Sequence, residues 1–128
     1  LKFYSSNVIN MEGMFSGCEN LAMLNLSNFS ITNVKNMAGM FSGCKNIEKL
    51  DLSNFKTQNV VNMNEMFAGC EKLTDIDISY FNNMNVTEME NMFYGCKNLT
   101  KILINKDGKN KIQNYIKELN INPELLTL

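Results

Sequence analysis

The sequence predicts an α/β fold, a right-handed solenoid with one parallel sheet, short outer helical turns and a C-terminal capping helix. Three observations predict it. First, an apolar L-x-x-L-x-L pattern recurs, and second, an amphipathic segment follows its last copy. Third, the string Met-Phe-x-Gly-Cys recurs every 26 residues, at Met14, Met40, Met66 and Met92. Because nothing is inserted or deleted between copies, each block is one unit that buries its apolar face against its neighbours.

The repeats divide the chain into an array and a cap. The array covers 1–110, with a partial repeat at 1–6 and four full repeats at 7–32, 33–58, 59–84 and 85–110. These full repeats are numbered first to fourth below. Phe3 precedes Phe29 by one period, which identifies 1–6 as the end of an earlier repeat. Because the chain starts with Leu1, we expect a fragment or a trimmed mature chain.

Each L-x-x-L-x-L pattern predicts a short strand. Its last two apolar positions alternate with polar residues, which is typical of a strand with one buried face. The 26-residue period also falls in the range of leucine-rich repeats. We therefore expect parallel strands, spaced about 4.8 Å apart, near 23–27, 49–53, 75–79 and 101–105.

The stretch before each Gly-Cys pair predicts a helical turn on the outer side. In the second repeat, Met37, Met40 and Phe41 recur at a spacing that fits one helical face. Asn36 lies where an N-cap is expected, and Gly43 lies where a left-handed residue would end the helix. The repeated Met and Phe positions form columns, which we interpret as core packing.

Residues 111–128 are interpreted as a C-terminal cap. The Asp107-Gly108 pair predicts a tight turn where the repeat pattern ends. Apolar residues at i, i+3, i+4 and i+7 then predict a helix over 111–120, which Pro123 follows. Those residues are Ile112, Tyr115, Ile116 and Leu119.

The repeat unit N-V-x-N-M-x-x-M-F-x-G-C-x-x-L-x-x-L-x-L-S-N-F closely resembles the BspA-type leucine-rich repeat. More narrowly, it resembles the Met-Phe-Gly-Cys subfamily that is abundant in mycoplasma surface lipoproteins and in intestinal bacteria. The resemblance covers 1–110 and implies a bacterial protein at the cell surface or secreted. It also implies adhesion to host or matrix proteins, and it brings no catalytic residues.

Composition narrows the function classes. The net charge is −1, and all twelve basic residues are Lys, so no charge bias indicates a nucleic-acid partner. The absence of His excludes His-based catalysis. No apolar run approaches the roughly 20 residues of a membrane span. We expect no enzyme activity and no cofactor, because a narrow sheet offers no evident cleft for paired carboxylates.

The polar strand positions are the candidate ligand-binding site. They should face solvent, because the Leu/Ile pair of each strand faces inward, and such a face is the usual binding surface of a solenoid. A calcium site at Asp51, Asp75 and Asp77 is conceivable, although Ca²⁺ needs about six to eight oxygens; a solvated face is the alternative. The candidates are Met23, Asn25, Ser27, Lys49, Asp51, Ser53, Asp75, Asp77, Ser79, Lys101, Leu103 and Asn105.

Four cysteines occupy one repeated position, at Cys18, Cys44, Cys70 and Cys96. We expect them in a row with neighbours about 5 Å apart, and a straight row does not converge on a zinc ion. A disulfide between neighbours is within range, but parallel side chains favour buried free thiols.

Two functions of different classes follow. One is a non-catalytic protein-binding module of a bacterial surface or secreted protein, with a host or matrix protein as partner. The other is a structural, self-associating surface protein. It rests on the first repeat, whose strand edge at 23–27 and neighbouring apolar residues lack a covering unit. We therefore also expect a weak isologous homodimer through the N-terminal edge.

Overall fold

The computed structural model describes residues 7–82, 85–105 and 126–127. Within these residues, equivalent positions of successive repeats lie side by side. Isolated parallel bridges join Asn10 to Asn36, Asn36 to Asn62, and Asn62 to Glu88. The period of the sequence is therefore also the period of the packing.

Backbone hydrogen bonds join the repeats along the turns that contain Met-Phe-x-Gly-Cys, and we call this array the turn ladder. In the first repeat, alternate N–H groups donate to carbonyls of the second repeat over 2.7–2.9 Å. The same pattern links the second repeat to the third and the third to the fourth. The first donors are Met11, Gly13, Phe15 and Gly17, and their acceptors are Asn36, Ala38, Met40 and Ser42.

Three short strands form a parallel sheet in the order β1 (Asp75–Asp77), β2 (Lys101–Leu103) and β3 (Leu126–Thr127). Ile76 pairs with Ile102, which in turn pairs with Leu126. The side chains of Ile76 and Ile102 are buried, whereas the first residue of β1 and of β2 is exposed. The sheet therefore has one buried face at β1 and β2.

The predicted right-handed α/β solenoid of leucine-rich repeats is wrong, because residues 7–82, 85–105 and 126–127 contain no helix. No described segment forms a helix that could span a membrane. The apolar spacing belongs instead to successive turns. There the N–H of Phe15 donates to the carbonyl of Met40 in the next repeat, whereas in an α-helix it would donate to the carbonyl of Met11. Gly13 and Gly17 have φ of 62° and 73°, and a right-handed helix does not continue through left-handed residues.

The expected set of four strands is also corrected. Strands occur within 75–79 and 101–105, but not at 23–27 or 49–53. The alternating Leu pattern buries one side of an extended segment, and this burial does not require a backbone ladder to the next repeat.

The predicted capping helix over 111–120 lies outside the described residues, as does the partial repeat at 1–6. Leu126–Thr127, which the sequence places in the cap, forms β3 at the edge of the sheet. A strand at this end was not predicted.

Columns of equivalent apolar side chains form the core. Met37, Met40, Met63 and Met66 are fully buried, as the columns predict. The rings of Phe15, Phe41, Phe67 and Phe93 stack with centroids 5.5–5.7 Å apart and interplanar angles of 4–8°. In the first repeat, Met14 remains 38% exposed and Phe15 is only partly buried.

Asparagine, which occurs 22 times, links the repeats in a way that the sequence analysis missed. At several repeated positions its side-chain amide donates to a backbone carbonyl of the preceding repeat. Asn59 donates to the carbonyl of Thr32 and Asn98 to that of Glu71, each over 2.7 Å. These bonds satisfy carbonyls outside the turn ladder and connect the repeats a second time.

Candidate functional site

A polar residue ends the extended segment of each of the first three repeats and shapes the predicted binding face. Asn25, Asp51 and Asp77 occupy equivalent positions, and the Oδ1 atom of each accepts the N–H of the serine two residues later, at 2.9–3.0 Å. The hydroxyls of Ser27 and Ser79 also donate to this oxygen. Such side-chain bonds favour a turn over continued strand, and β1 does end at Asp77.

The twelve predicted residues, which we call the strand face, divide by exposure. Met23 is the extreme case, because this large apolar side chain is 86% exposed. Half-buried members are Asp77, Ser79, Leu103 and Asn105. Exposed members are Met23, Asn25, Ser27, Lys49, Asp51, Ser53, Asp75 and Lys101.

The carboxylates of the strand face are engaged in local hydrogen bonds. Asp77 accepts two bonds from Ser79, and Asp75 accepts one from the Thr74 hydroxyl at 3.0 Å. The side-chain and backbone hydrogen bonds from Ser53 hold the pKa of Asp51 below its usual value. Within the described ranges, no three Cys, Asp or Glu side chains are grouped to hold a metal ion. The structure does not gather the three carboxylates as calcium ligands.

A groove of about 560 Å³ opens between the first and second repeats at the strand face. We call it the inter-repeat groove. Its lining combines residues of the predicted site with the apolar residues Leu24 and Leu26 of the first repeat. Its lining consists of Met23, Leu24, Asn25, Leu26, Ser27, Asp51, Ser53 and Asn54.

Hydrogen bonds and an ion pair join the first and second repeats before and after their extended segments. On one side, the Asn46 amide donates to the carbonyl of Glu19, whose carboxylate lies 3.1 Å from the Lys45 ammonium. On the other side, the Asn54 amide donates to the carbonyl of Leu26 at 2.9 Å.

Leu24, Leu26 and Asn54 line the groove but are absent from the predicted site. One signal in the sequence points toward them: Met23 places a large apolar residue in a column that is otherwise charged. The other members of that column are Lys49, Asp75 and Lys101. An exposed apolar residue amid polar neighbours is consistent with a contact surface.

The cysteines form a column of free thiols, as predicted. Cys44 and Cys70 are buried, whereas Cys18 and Cys96 are only partly buried. The sulfur atoms of Cys44, Cys70 and Cys96 lie 3.1–3.3 Å from a phenylalanine carbonyl of the preceding repeat, to which they donate. Cys18 makes no such bond within the described residues.

Burial sets the chemistry of these thiols. It raises the pKa of Cys70 to about 12 and that of Cys44 and Cys96 to about 11. The thiolate is the reactive form, so these cysteines are inert near neutral pH and act as small core residues.

A second depression, on the turn side, was also missed by the sequence analysis. It has a volume of about 400 Å³. Its carboxylate at Glu12 is engaged by the neighbouring repeat, since the Asn36 amide donates to it at 3.0 Å. This internal pairing indicates a structural role. The polar lining residues are Glu12, Ser16, Ser42, Asn62, Asn64 and Glu65.

The described residues define a class of protein: repeats of 26 residues, packed in register, with a polar face that carries a groove between the first and second repeats. The chain belongs to the family described as "Mycoplasma protein of unknown function, DUF285", whose model matches residues 2–118. No curated protein and no solved structure matches the chain significantly.

Proposed function

We propose that the chain is a non-catalytic protein-binding module of a bacterial surface or secreted protein that adheres to host or matrix proteins. The observation that carries this proposal is the inter-repeat groove, where an exposed Met23 borders a slot within the strand face. Exposed apolar side chains with polar neighbours are a common composition of protein contact surfaces.

The charges of the strand face support a binding role over proton transfer. Asp51 is exposed, and its lowered pKa keeps it ionised at neutral pH. A general acid at neutral pH needs a raised pKa instead. An ionised exposed carboxylate suits a salt bridge to a cationic partner.

The proposed location rests on the repeat motif and on the family. The motif resembles surface-protein repeats, and the matching family is described from Mycoplasma. The family supports a bacterial source, and the motif supports a protein that meets its partners outside the cell.

The test is binding of the chain to surfaces coated with collagen, fibronectin or cultured epithelial cells. In the test variant, Lys49, Asp51, Asp75 and Asp77 are all replaced by Ala. We expect binding to fall at least about tenfold, because each charged contact at an interface contributes on the order of 1 kcal/mol or more.

A matched control removes the same charges from the turn side, by replacing Lys35, Glu12, Glu65 and Glu90 with Ala. All four residues are exposed. The control should bind like the unchanged chain. No binding by the unchanged chain, or equal losses in both variants, would refute adhesion through the strand face.

Self-association is the second candidate, and one observation favours it: the apolar side chains of the first repeat remain partly uncovered. Met14 is 38% exposed, whereas Met40 and Met66 are fully buried. Each carbonyl of the turn ladder accepts its hydrogen bond from an N–H group of the repeat before it. The carbonyl of Met14 has no such donor within the described part of the chain. Since carbonyls do not bond to carbonyls, two first repeats would meet through apolar side chains.

Light scattering across a concentration series tests this second candidate. Met14→Lys should remove a weak dimer, and Val61→Lys, at a 37% exposed apolar residue of the third repeat, should leave it intact. A strictly monomeric chain at high concentration would eliminate self-association.

A further inference from the structure

One side of the first repeat lacks the hydrogen bonds that the same side makes in the later repeats. In the second, third and fourth repeats, alternate carbonyls of the turn ladder accept an N–H group from the repeat before, at 2.7–2.9 Å. Within the described residues, nothing donates to the equivalent carbonyls of the first repeat. We call this side of the first repeat the open side, and its carbonyls are those of Asn10, Glu12, Met14 and Ser16.

Two side-chain donors of the open side follow the same rule. In the second repeat, the Cys44 thiol and the Asn46 amide donate to backbone carbonyls of the first repeat. Their equivalents in the first repeat are Cys18 and Asn20, and neither donates to an acceptor in the part of the chain that the structure describes. The open side therefore presents four carbonyl acceptors and two side-chain donors in a fixed order.

Apolar side chains lie among these polar groups. Met14 is 38% exposed, whereas Met40 at the equivalent position is fully buried. Phe15, Leu21 and Leu24 are only partly buried. Since a preceding repeat buries these positions elsewhere in the array, the open side has the shape and chemistry of an interface between repeats.

A column of alternating charges indicates which residue a partner should carry at one position. Glu19, Lys45, Glu71 and Lys97 occupy equivalent positions, with 3.1 Å between the charged groups of the first pair and 3.7 Å between those of the last pair. Glu19 stands at the open side. A partner with Lys at this position continues the alternation.

We propose that the open side binds a further repeat of the same motif, presented by another polypeptide. The partner repeat donates its turn-ladder N–H groups to the four carbonyls and accepts hydrogen bonds from Cys18 and Asn20. This continues an interface that already joins the first repeat to the second, the second to the third and the third to the fourth. The inference goes beyond adhesion to host or matrix proteins, because the partner carries the repeat motif itself.

The hydrogen-bonding groups favour a different polypeptide over a second copy of this chain. The turn-ladder N–H groups of a first repeat already donate to its second repeat, so two first repeats cannot supply them to each other. At the other end of the array, β3 pairs with β2, so a strand already lies beside the fourth repeat. The partner is therefore a chain whose last repeat is not covered in this way.

The test uses the full chain and a fluorescent 20-residue peptide with the sequence of 33–52, in which Ser replaces Cys44 to prevent disulfide exchange. Fluorescence polarisation should show saturable binding of this peptide and none of a scrambled one. Met14→Lys in the chain should weaken binding at least about tenfold, because it places a charge in an apolar contact. Val61→Lys changes a similarly exposed side chain of the third repeat, 37% against 38%, and should leave the dissociation constant within about twofold. No saturable binding, or equal effects of both variants, would overturn the inference.

Two further peptides test the backbone hydrogen bonds. Ester bonds in place of the amides at Gly39 and Gly43 remove two turn-ladder donors without adding bulk, and they should weaken binding about tenfold. The matched control places one ester at Lys49, whose N–H group makes no hydrogen bond within the described ranges, and it should bind within about twofold of the unchanged peptide. Equal affinities of the two ester peptides would exclude pairing through the turn ladder.

Thiol labelling locates the bound peptide. A saturating concentration should slow the labelling of Cys18, because contact with a preceding repeat covers this thiol. Cys96, which is also partly buried but lies in the fourth repeat, should be labelled at an unchanged rate. An unchanged rate at Cys18 would place the peptide elsewhere and overturn the inference.

The outcomes for the open side and for the other proposals are distinguishable. The strand-face variant, with Lys49, Asp51, Asp75 and Asp77 replaced by Ala, should bind the peptide like the unchanged chain. Peptide binding without adhesion to any coated surface would support the open side and refute adhesion alone. Adhesion without peptide binding would overturn the open-side inference alone, and a dimer without peptide binding would assign the open side to self-association.

Discussion

The first and third repeats share one motif but differ in burial. In the third repeat Met66 and Phe67 are fully buried, whereas in the first Met14 is 38% exposed and Phe15 is partly buried. The third repeat is bonded to neighbours on both sides and contributes β1. The first is bonded to the second alone within the described residues. The comparison shows that a covering neighbour, and not the motif itself, buries these positions.

The largest expected difference between the two repeats lies in the phenylalanine column. Phe67→Ala should lower the free energy of unfolding by about 3–5 kcal/mol, because it leaves a cavity between Phe41 and Phe93. Phe15→Ala should cost less than half as much, since its ring is partly exposed and stacks on Phe41 from one side. Urea denaturation followed by circular dichroism measures both. Equal losses would contradict the difference in burial.

A smaller difference in stability is expected from a pair of hydrogen bonds, here called the polar clamp, which joins the second repeat to the third and has no equivalent in the first. The fully buried hydroxyl of Thr57 donates to the carbonyl of Asn82 at 2.9 Å and accepts its N–H at 2.8 Å. The equivalent residue of the first repeat is Ile31. Thr57→Val removes both bonds and should cost about 1–3 kcal/mol.

Thr32→Val is the matched control for this change. Thr32 is exposed in the first repeat, so the same substitution there should change stability by less than about 0.5 kcal/mol. A destabilisation by Thr57→Val no larger than that of Thr32→Val would show that the clamp contributes nothing.

The smallest expected effects concern a left-handed turn position. Gly39 has φ of 60°, and Glu65 holds the equivalent position at 55°. Asn tolerates this conformation better than Glu, so Glu65→Asn should stabilise the chain by about 0.5–1 kcal/mol. Gly39→Ala should destabilise it by about 1–2 kcal/mol, through backbone strain and not through crowding, since the nearest atom is 3.7 Å from the new Cβ. Thermal unfolding checks both signs, and a reversal of either would disprove the strain argument.

The regular spacing of the repeats could be predicted from the sequence because packing in register needs only equal lengths. The burial of Met40, Met66 and Phe67 follows directly from that spacing. The free state of the cysteines was predicted in the same way, from one position repeated along a row.

The helical turns were predicted wrongly because two backbone paths share one apolar spacing. Phe41 follows Met37 by four residues, which fits a helix but also fits two successive tight turns. The left-handed position that distinguishes them is Gly39 in the second repeat, yet it is Glu65 in the third and Asn91 in the fourth. Because the residue type varies between repeats, the sequence pattern does not identify this position as left-handed.

The groove could not be predicted because it depends on how the extended segments of two repeats pack against each other. The sequence places Asn25 and Asp51 on the strand face, but the missing ladder between 23–27 and 49–53 is a property of the packing. Asn54, which lines the groove and bonds to Leu26, looks like an ordinary turn residue in the sequence.

The most direct test of the central claim, that neighbours determine burial, uses the four cysteines as reporters at one repeated position. Native protein is treated with a thiol reagent at pH 8, and labelled residues are identified by peptide mass spectrometry. Cys18 should react first, because it is partly exposed and makes no bond to a preceding repeat within the described residues. Cys70, whose pKa burial raises to about 12, should react last. Cys18→Ser should abolish the fast phase, whereas equal labelling rates at Cys18 and Cys70 would contradict the claim.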